Sequence, residues 1–504
     1  MLNRRQFLAV SALAAPLAAA EQKPNIVYFL ADDFGFGDAG FQNPKSKIPT
    51  PNLDRLASQG VHFTDAHDPT AVCTPTRYGI LTGRYCWRSS LKKGVLVQWD
   101  NALIEKGRLT VPAMLKQHGY TTAAFGKWHL GFAWPTLDGQ PPKFVQGKTN
   151  VDFDKPVGEG PIKRGFDYYF GMDLPNYPPY AYIENDRVQG KPTAVFAGGN
   201  MQQGPNPVFG PIDSRPGPMI PGWKQEDVLP EITRRSVKYI EERGAKPKEP
   251  FFLYFASTGP HTPVVPAKEF QGKTQVGPYG DWVHQVDYSL GQLLDALDRA
   301  KLTSNTLVIF TSDNGPEIHA YERVQKFGHY SMGELRGVKR DAWEGGHRVP
   351  WVARWPGKIK PGSSSDEVIC QTDLMATLAG MLGHKLPNDA AEDSYNILPA
   401  ILGKKSKKPI REATVHHSAN GNFAIRQGQW VFIDAKTGDN NKEPEWFKKE
   451  RNYSAHEQPG ELYDLSADSQ ERKNLYAEKP EVVSRMKALL EKYKSEGRSV
   501  PRRG

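Results

Sequence analysis

Residues 25–30, Asn-Ile-Val-Tyr-Phe-Leu, are apolar after the first position, too short for a helix and rich in strand formers. Such a run predicts a strand buried on both faces, as in a parallel sheet. Runs at 120–125, 250–256, 306–310 and 351–355 predict further strands. Helical periodicity lies between them. Residues 50–57 offer Thr50 as a cap, Pro51 at the first helical position and apolar residues at helical spacing, closed by Gly60. Segments 111–118 and 226–243 also read as helices, and 281–300 place Val283, Val286, Leu290, Leu293, Leu294 and Leu297 on one face. Alternating strands and helices predict an α/β class fold: a mostly parallel sheet flanked by helices.

Two stretches break this rhythm. Residues 134–225 are rich in proline, glycine and aromatics, among them Trp134, Tyr168, Tyr169, Tyr177, Tyr180, Tyr182 and Trp223, and predict long loops with a few short strands covering a site. Beyond residue 365 a helix at 372–382 precedes strand signals at 413–417 and 423–433, with a turn at Gln427-Gly428, then 461–465 and a helix at 481–494. These predict a small antiparallel sheet with a terminal helix. The expected division is therefore a large catalytic domain over 21–365 and a smaller α+β unit over 366–504.

The first twenty residues belong to neither. Arg4-Arg5, a short apolar segment and Ala18-Ala19-Ala20 read as a twin-arginine (Tat-type) signal peptide, with the mature chain starting near Glu21 in the periplasm or outside the cell. No cysteine follows the apolar run, so no stable membrane anchor is expected. The 504 residues carry Lys+Arg 65 against Asp+Glu 56, a net charge of +9. That excess suits an anionic substrate or a plain basic surface.

Charged residues cluster at the predicted strand ends. Asp32-Asp33 follow the first strand, Asp313-Asn314 follow 306–310, and His261 sits between Pro260 and Pro263 after 250–256. Asp32, Asp33, Asp313 and Asn314 make an all-oxygen set, which selects Ca2+ or Mg2+ over zinc. Lys127 and His129 follow 120–125, and extended backbone would turn both to one face. In Cys73-Thr74-Pro75-Thr76-Arg77 the proline suits a helix start and Gly83 its exit, so Cys73 should face an anion held by free amides, with Arg77 one turn on. A cysteine phosphatase loop would need arginine at position 79, which is Gly79. The other two cysteines, Cys86 and Cys370, could pair or remain buried thiols.

Cys73-x-Pro75-x-Arg77 followed by Thr82-Gly83-Arg84 resembles the signature of the sulfatase family. Gly126-Lys127-Trp128-His129, Gly165-Phe166-Asp167, Gly337-Val338-Lys339 and Glu344-Gly345-Gly346 resemble further segments of that family, so the likeness spans nearly the whole mature chain. The resemblance implies an alkaline-phosphatase-like fold, Ca2+ rather than Mg2+ on Asp32, Asp33, Asp313 and Asn314, and conversion of Cys73 to Cα-formylglycine by a formylglycine-generating maturation enzyme. It further implies that Arg77 holds the aldehyde hydrate, Lys127 and Lys339 bind the sulfuryl oxygens, His261 protonates the leaving oxygen and His129 takes a proton from the hydrate. The family's serine contact after the Lys/His pair has no match here; Asn176 is nearest.

The expected partner is a sulfated carbohydrate, with a galactose or N-acetylgalactosamine sulfate favoured, and not nucleic acid. His416, His417, Arg88, Lys92 and Lys93 are read as sugar contacts or, ahead of that, as ordinary surface residues. A phosphodiesterase or phosphonate hydrolase of the same superfamily is the alternative enzyme, and a non-catalytic binder of sulfated glycans the alternative if Cys73 stays unmodified. Oligomeric state is not legible.

Overall fold

The computed structural model describes residues 22–199 and 214–503; the export signal expected at 1–20 lies outside them. Ten strands form the main sheet, in the order Ser363–Ser365, Val61–Phe63, Trp351–Arg354, Thr306–Ser312, Asn25–Asp32, Phe251–Pro260, Thr121–Lys127, Tyr168–Met172, Ile183–Glu184 and Arg187–Val188. The five from Thr306–Ser312 to Tyr168–Met172 run parallel. Trp351–Arg354 is antiparallel to both its neighbours.

All eight residues of Asn25–Asp32 are buried, and side chains alternate across a strand. Ile26, Tyr28 and Leu30 therefore enter one core, and Val27, Phe29 and Ala31 the other. Helices Pro51–Ser58, Val228–Gly244 and Gly277–Arg299 cover the second core with Leu53, Ile232, Val283 and Leu290. The first core is closed by Cys73–Thr82, Val111–Lys116 and Leu374–Leu382 through Tyr78, Met114 and Leu378. This is the helix-on-both-faces, mostly parallel layering that the apolar pattern predicts.

Thr50 differs from expectation. It makes no side-chain cap to the helix it precedes. Its hydroxyl instead accepts from the Gly40 amide and reaches Asp54 Oδ1 at 3.3 Å, so the preceding loop takes the oxygen the helix would have used.

Near the C-terminus four antiparallel strands, Thr414–His417, Phe423–Gln427, Trp430–Ile433 and Glu461–Asp464, carry the helix Pro480–Ser495. Val482, Val483, Met486 and Leu490 of that helix pack with Val415 and Phe432, and also with Tyr85 and Trp87 just past the Cys73 helix. Cys86 and Cys370 are both buried free thiols. Among the described residues no helix is long and apolar enough to cross a membrane.

Candidate active site

Parallel registry brings the candidate residues together. Ala31 pairs with Ser312, Asp32 with Pro260, and Ala256 with Gly126, so the carboxyl ends of four adjacent strands deliver Asp313 and Asn314, Asp32 and Asp33, His261, and Lys127 to one edge of the sheet. Ligands of open α/β sheets bind at this edge. Asp33 adopts the left-handed φ of 66°, which breaks the strand and turns its carboxylate beside that of Asp32 rather than to the opposite face. The helix Cys73–Thr82 starts below the same edge, after extended Val72, and ends at left-handed Gly83. Sulfur of Cys73 and a carboxylate oxygen from each of Asp32 and Asp313 lie within 4.8 Å of one another.

Six buried charges surround this point. Lys127 Nζ is 2.6 Å from Asp32 Oδ2, and Lys339 Nζ is 2.6 Å from Asp33 Oδ1. Arg77 donates through Nε to Asp313 Oδ2 at 2.9 Å and through Nη1 to the Lys127 carbonyl, and its Nη2 lies 2.8 Å from the same Asp313 oxygen as an ion pair. Asn314 Nδ2 donates to Asp33 Oδ1 at 2.7 Å. Three carboxylates thus face three cations, and the set is formally neutral. A buried set of this kind persists only with partners for its remaining oxygens.

Those partners are missing at one place. Asp32 Oδ1, Asp33 Oδ2 and Asn314 Oδ1 are buried without a hydrogen-bond donor. Three orphaned oxygens beside Asp313, each a hard donor, fit a divalent cation of the Ca2+ or Mg2+ type. Such an ion would leave the site two positive charges in excess, a match for a sulfate group.

Titration behaviour follows from burial. Burial lifts the Asp313 carboxyl, helped by the Asp32 charge, to about 6, with Arg77 pulling against it. Burial also lifts Asp33, but Lys339 and His261 outweigh it and hold that carboxyl below the usual range. The Cys73 thiol is pushed up by burial despite Lys127 and Lys339, so the unmodified thiol is a poor nucleophile. Burial and then Lys339 drive His261 down to about 3, Asp33 opposing. Burial and Lys127 likewise keep His129 neutral.

His129 does not follow the alternation expected of extended chain. Its φ is 53°, and its Nε2 donates to the Leu96 carbonyl at 2.8 Å, leaving buried Nδ1 without a partner. Lys127 reaches Asp32 from the strand itself, so the two side chains arrive by a turn and not on a shared strand face. His261 keeps Nε2 3.9 Å from Asp33 Oδ2, with Nδ1 held by the Thr262 carbonyl.

A cleft of about 240 Å³ opens over Cys73, His129, His261 and Lys339. Asn176 lines it. So does Tyr177, one of the aromatics of the covering loops, and so do Arg215, Glu317, His319 and Arg340, which the sequence did not single out. Arg340 follows Lys339 directly and pairs with Glu317 at 2.9 Å, while Arg215 lies over the Tyr177 ring at 5.5 Å. The proposed sugar contacts fare differently. His416 and His417 are each 1% exposed, do not line the cleft and are not surface residues either, because the strand Thr414–His417 is buried throughout. Arg88 is tied to Asp393 at 2.9 Å, and Lys92 donates to the Trp87 carbonyl. Lys93 is exposed.

Residues 24–384 match the family model described as Sulfatase, and residues 337–496 one described as N-sulphoglucosamine sulphohydrolase, C-terminal. N-acetylgalactosamine-6-O-sulfatase of Bacteroides thetaiotaomicron is 37% identical over 507 residues, covering 94% of each chain. Human arylsulfatase A is 34% identical over 497 residues, covering 95% of this chain and 89% of its own length. A solved structure from B. thetaiotaomicron, described for metabolism of multiple glycosaminoglycans, superposes with a TM-score of 0.79 at 36% identity, over 94% of this chain and all of that one.

Proposed function

The chain belongs to the sulfatase family, and from that premise we propose that it removes 6-O-sulfate from N-acetylgalactosamine or galactose units of a carbohydrate. It is a sulfuric ester hydrolase of carbohydrate sulfates. The specific sugar and position are favoured by the 37% identical relative, whose name specifies that ester. Export, on the strength of residues 1–20, would place the enzyme where such polymers are met.

The observation that carries the mechanism is the orphaned oxygen trio set beside Cys73 in a cleft lined by cations. Asp32, Asp33, Asp313 and Asn314 would hold Ca2+, which supplies Lewis acidity toward a sulfate oxygen. Formylglycine at position 73 would supply a hydrated aldehyde as the nucleophile, formed by the dedicated maturation enzyme. The chain's own side chains do the rest. Lys127 and Lys339 offset charge that develops on the sulfuryl oxygens, from ammonium groups fixed in advance by Asp32 and Asp33. Arg77, locked on Asp313 and the Lys127 carbonyl, orients the helix start under position 73. His261 hands a proton from Nε2 to the departing sugar oxygen; a sulfate anion beside it adds the negative charge that favours its protonated form. His129, neutral with Nδ1 open, accepts a proton from position 73.

Sulfate release from 4-O- and 6-O-sulfated N-acetylgalactosamine, 6-O-sulfated galactose and 6-O-sulfated N-acetylglucosamine tests this reading, with a phosphodiester in parallel and the peptide containing position 73 weighed by mass spectrometry. The galacto-configured 6-sulfates should turn over fastest, on protein whose position 73 is converted. Preference for the 4-sulfate would overturn the regiochemistry. Faster turnover of the phosphodiester would favour the phosphodiesterase reading, and unconverted Cys73 with no turnover a glycan-binding role.

A further inference from the structure

Below the thiol-bearing segment lies a second cluster, apart from the cleft. His67, His347 and His416 are 0%, 0% and 1% exposed, and one ring nitrogen from each falls within 4.8 Å of the others. Their hydrogen bonds fix the tautomers. His67 Nε2 is 2.5 Å from Asp65 Oδ1, His347 Nε2 3.2 Å from the Ala342 carbonyl, and His416 Nδ1 2.7 Å from the Asp68 carbonyl. A carbonyl only accepts, and so does an ionised carboxylate. Asp65 accepts from Arg426 Nη2 at 3.0 Å through its other oxygen and lies 3.7 Å from Arg348, so it meets His67 as an acceptor. These three nitrogens therefore carry the protons.

What remains is three lone pairs. His67 Nδ1 and His347 Nδ1 face each other at 3.1 Å, and His416 Nε2 is buried with no partner. Lone pairs set against one another repel, and a cation held among the three nitrogens relieves all of them at once. A bridging proton can serve the first two but not His416. The outward hydrogen bonds to a carboxylate and two carbonyls are the support that metal-binding imidazoles use to fix their tautomer and orientation.

We propose that His67, His347 and His416 form a second metal site, selective for a borderline transition ion such as Zn2+ rather than Ca2+. Three neutral imidazoles suit zinc, as the oxygen set in the cleft suits calcium. Glu344 lies beside the cluster, with Oε2 3.9 Å from His67 Nε2 and paired with Arg348 at 3.1 Å, and with Oε1 unpartnered. The rings of His347 and His416 stack at 3.9 Å and 6°, so closing on one ion turns each about its Cβ–Cγ bond, while His67 already lies 40–41° from both. The ion would join three distant pieces of chain: the strand Ala66–His67 that leads to Cys73, the short helix Glu344–His347 that follows the Lys339 loop, and the strand Thr414–His417 of the C-terminal sheet.

The test is elemental analysis of the full-length protein after zinc loading and desalting, with X-ray absorption at the zinc edge and the visible spectrum of the cobalt-substituted form. About one zinc per chain is expected, with nitrogen ligands at about 2.0–2.1 Å. His416→Gln should lose that zinc, and Asp313→Asn, altered in the oxygen set beside Cys73, should keep it. The unmutated protein reports the ligand set directly, so misfolding of the histidine variant would not spoil the test. No retained zinc, an all-oxygen ligand shell, or loss with Asp313→Asn but not with His416→Gln would overturn the proposal.

Discussion

Two buried charge clusters lie at opposite ends of the helix Cys73–Thr82, and they differ in one respect. At its start Asp32, Asp33 and Asp313 meet Lys127, Lys339 and Arg77. Beyond its exit Arg88 grips Asp393 with two hydrogen bonds of 2.9 Å, and Arg411 pairs with Asp373 while donating to Thr414 and Tyr85. Burial lifts Asp313 and Asp373 alike to about 6, so titration does not tell the clusters apart. Hydrogen bonding does. Backbone amides of Cys370 and Tyr395 complete Asp373, and that of Tyr85 completes Asp393. The first cluster keeps three oxygens with no donor. A closed network holds chain segments together; an open one awaits a ligand.

The sharpest way to break this contrast is at the open cluster. Cys73→Ala should lower turnover of the sulfated sugar by more than about 10⁴-fold, the scale of losing a nucleophile. Its unfolding midpoint should stay near that of the parent, because the side chain is small and holds no ion pair. Residual turnover within about tenfold of the parent would place the nucleophile elsewhere.

At the closed cluster the pattern should invert. Arg411→Met leaves Asp373 buried with its cation gone, which costs about 3–5 kcal/mol of unfolding free energy. Turnover per folded molecule should hold, since Arg411 does not line the cleft. Denaturant unfolding beside a rate assay on the same preparation checks both halves. An unchanged stability with a fallen rate would erase the distinction between the clusters.

How much of this was legible beforehand depends on the range of the cause. Strand ends were legible because a buried apolar run that stops at Asp32-Asp33 or Asp313-Asn314 is a local signal. The helix from Cys73 to Gly83 was legible for the same reason, through Pro75 and a left-handed exit. Thr50 and His129 were misjudged where the loop before a helix and a positive φ overrode the nearest-neighbour rule. Arg215, Arg340 and the pair Glu317 and His319 come from three separate loops that meet at the cleft; a cation directly after Lys339 was the one hint available. Nothing local links His67, His347 and His416, which meet through strand pairing and loop packing across 349 positions of chain from first to last.

The smallest expected effect concerns the two remaining cysteines and bears on both clusters. Cys370 caps the segment that completes Asp373, whereas Cys86 lies within reach of Ser89 Oγ, at 3.7 Å, in the other core. Both are free and buried, with pKa pushed up by burial to about 12, so neither is poised to oxidise. A reductant should therefore leave the unfolding midpoint unchanged. Alkylation in denaturant should then label Cys86 and Cys370 in every molecule, and Cys73 only where it has not been converted, so the label count reads maturation of the open cluster without an activity assay. Failure to label Cys86 and Cys370 until a reductant is added would mean that they are joined, and that the joint near Asp373 is held by a covalent bond as well as by charge.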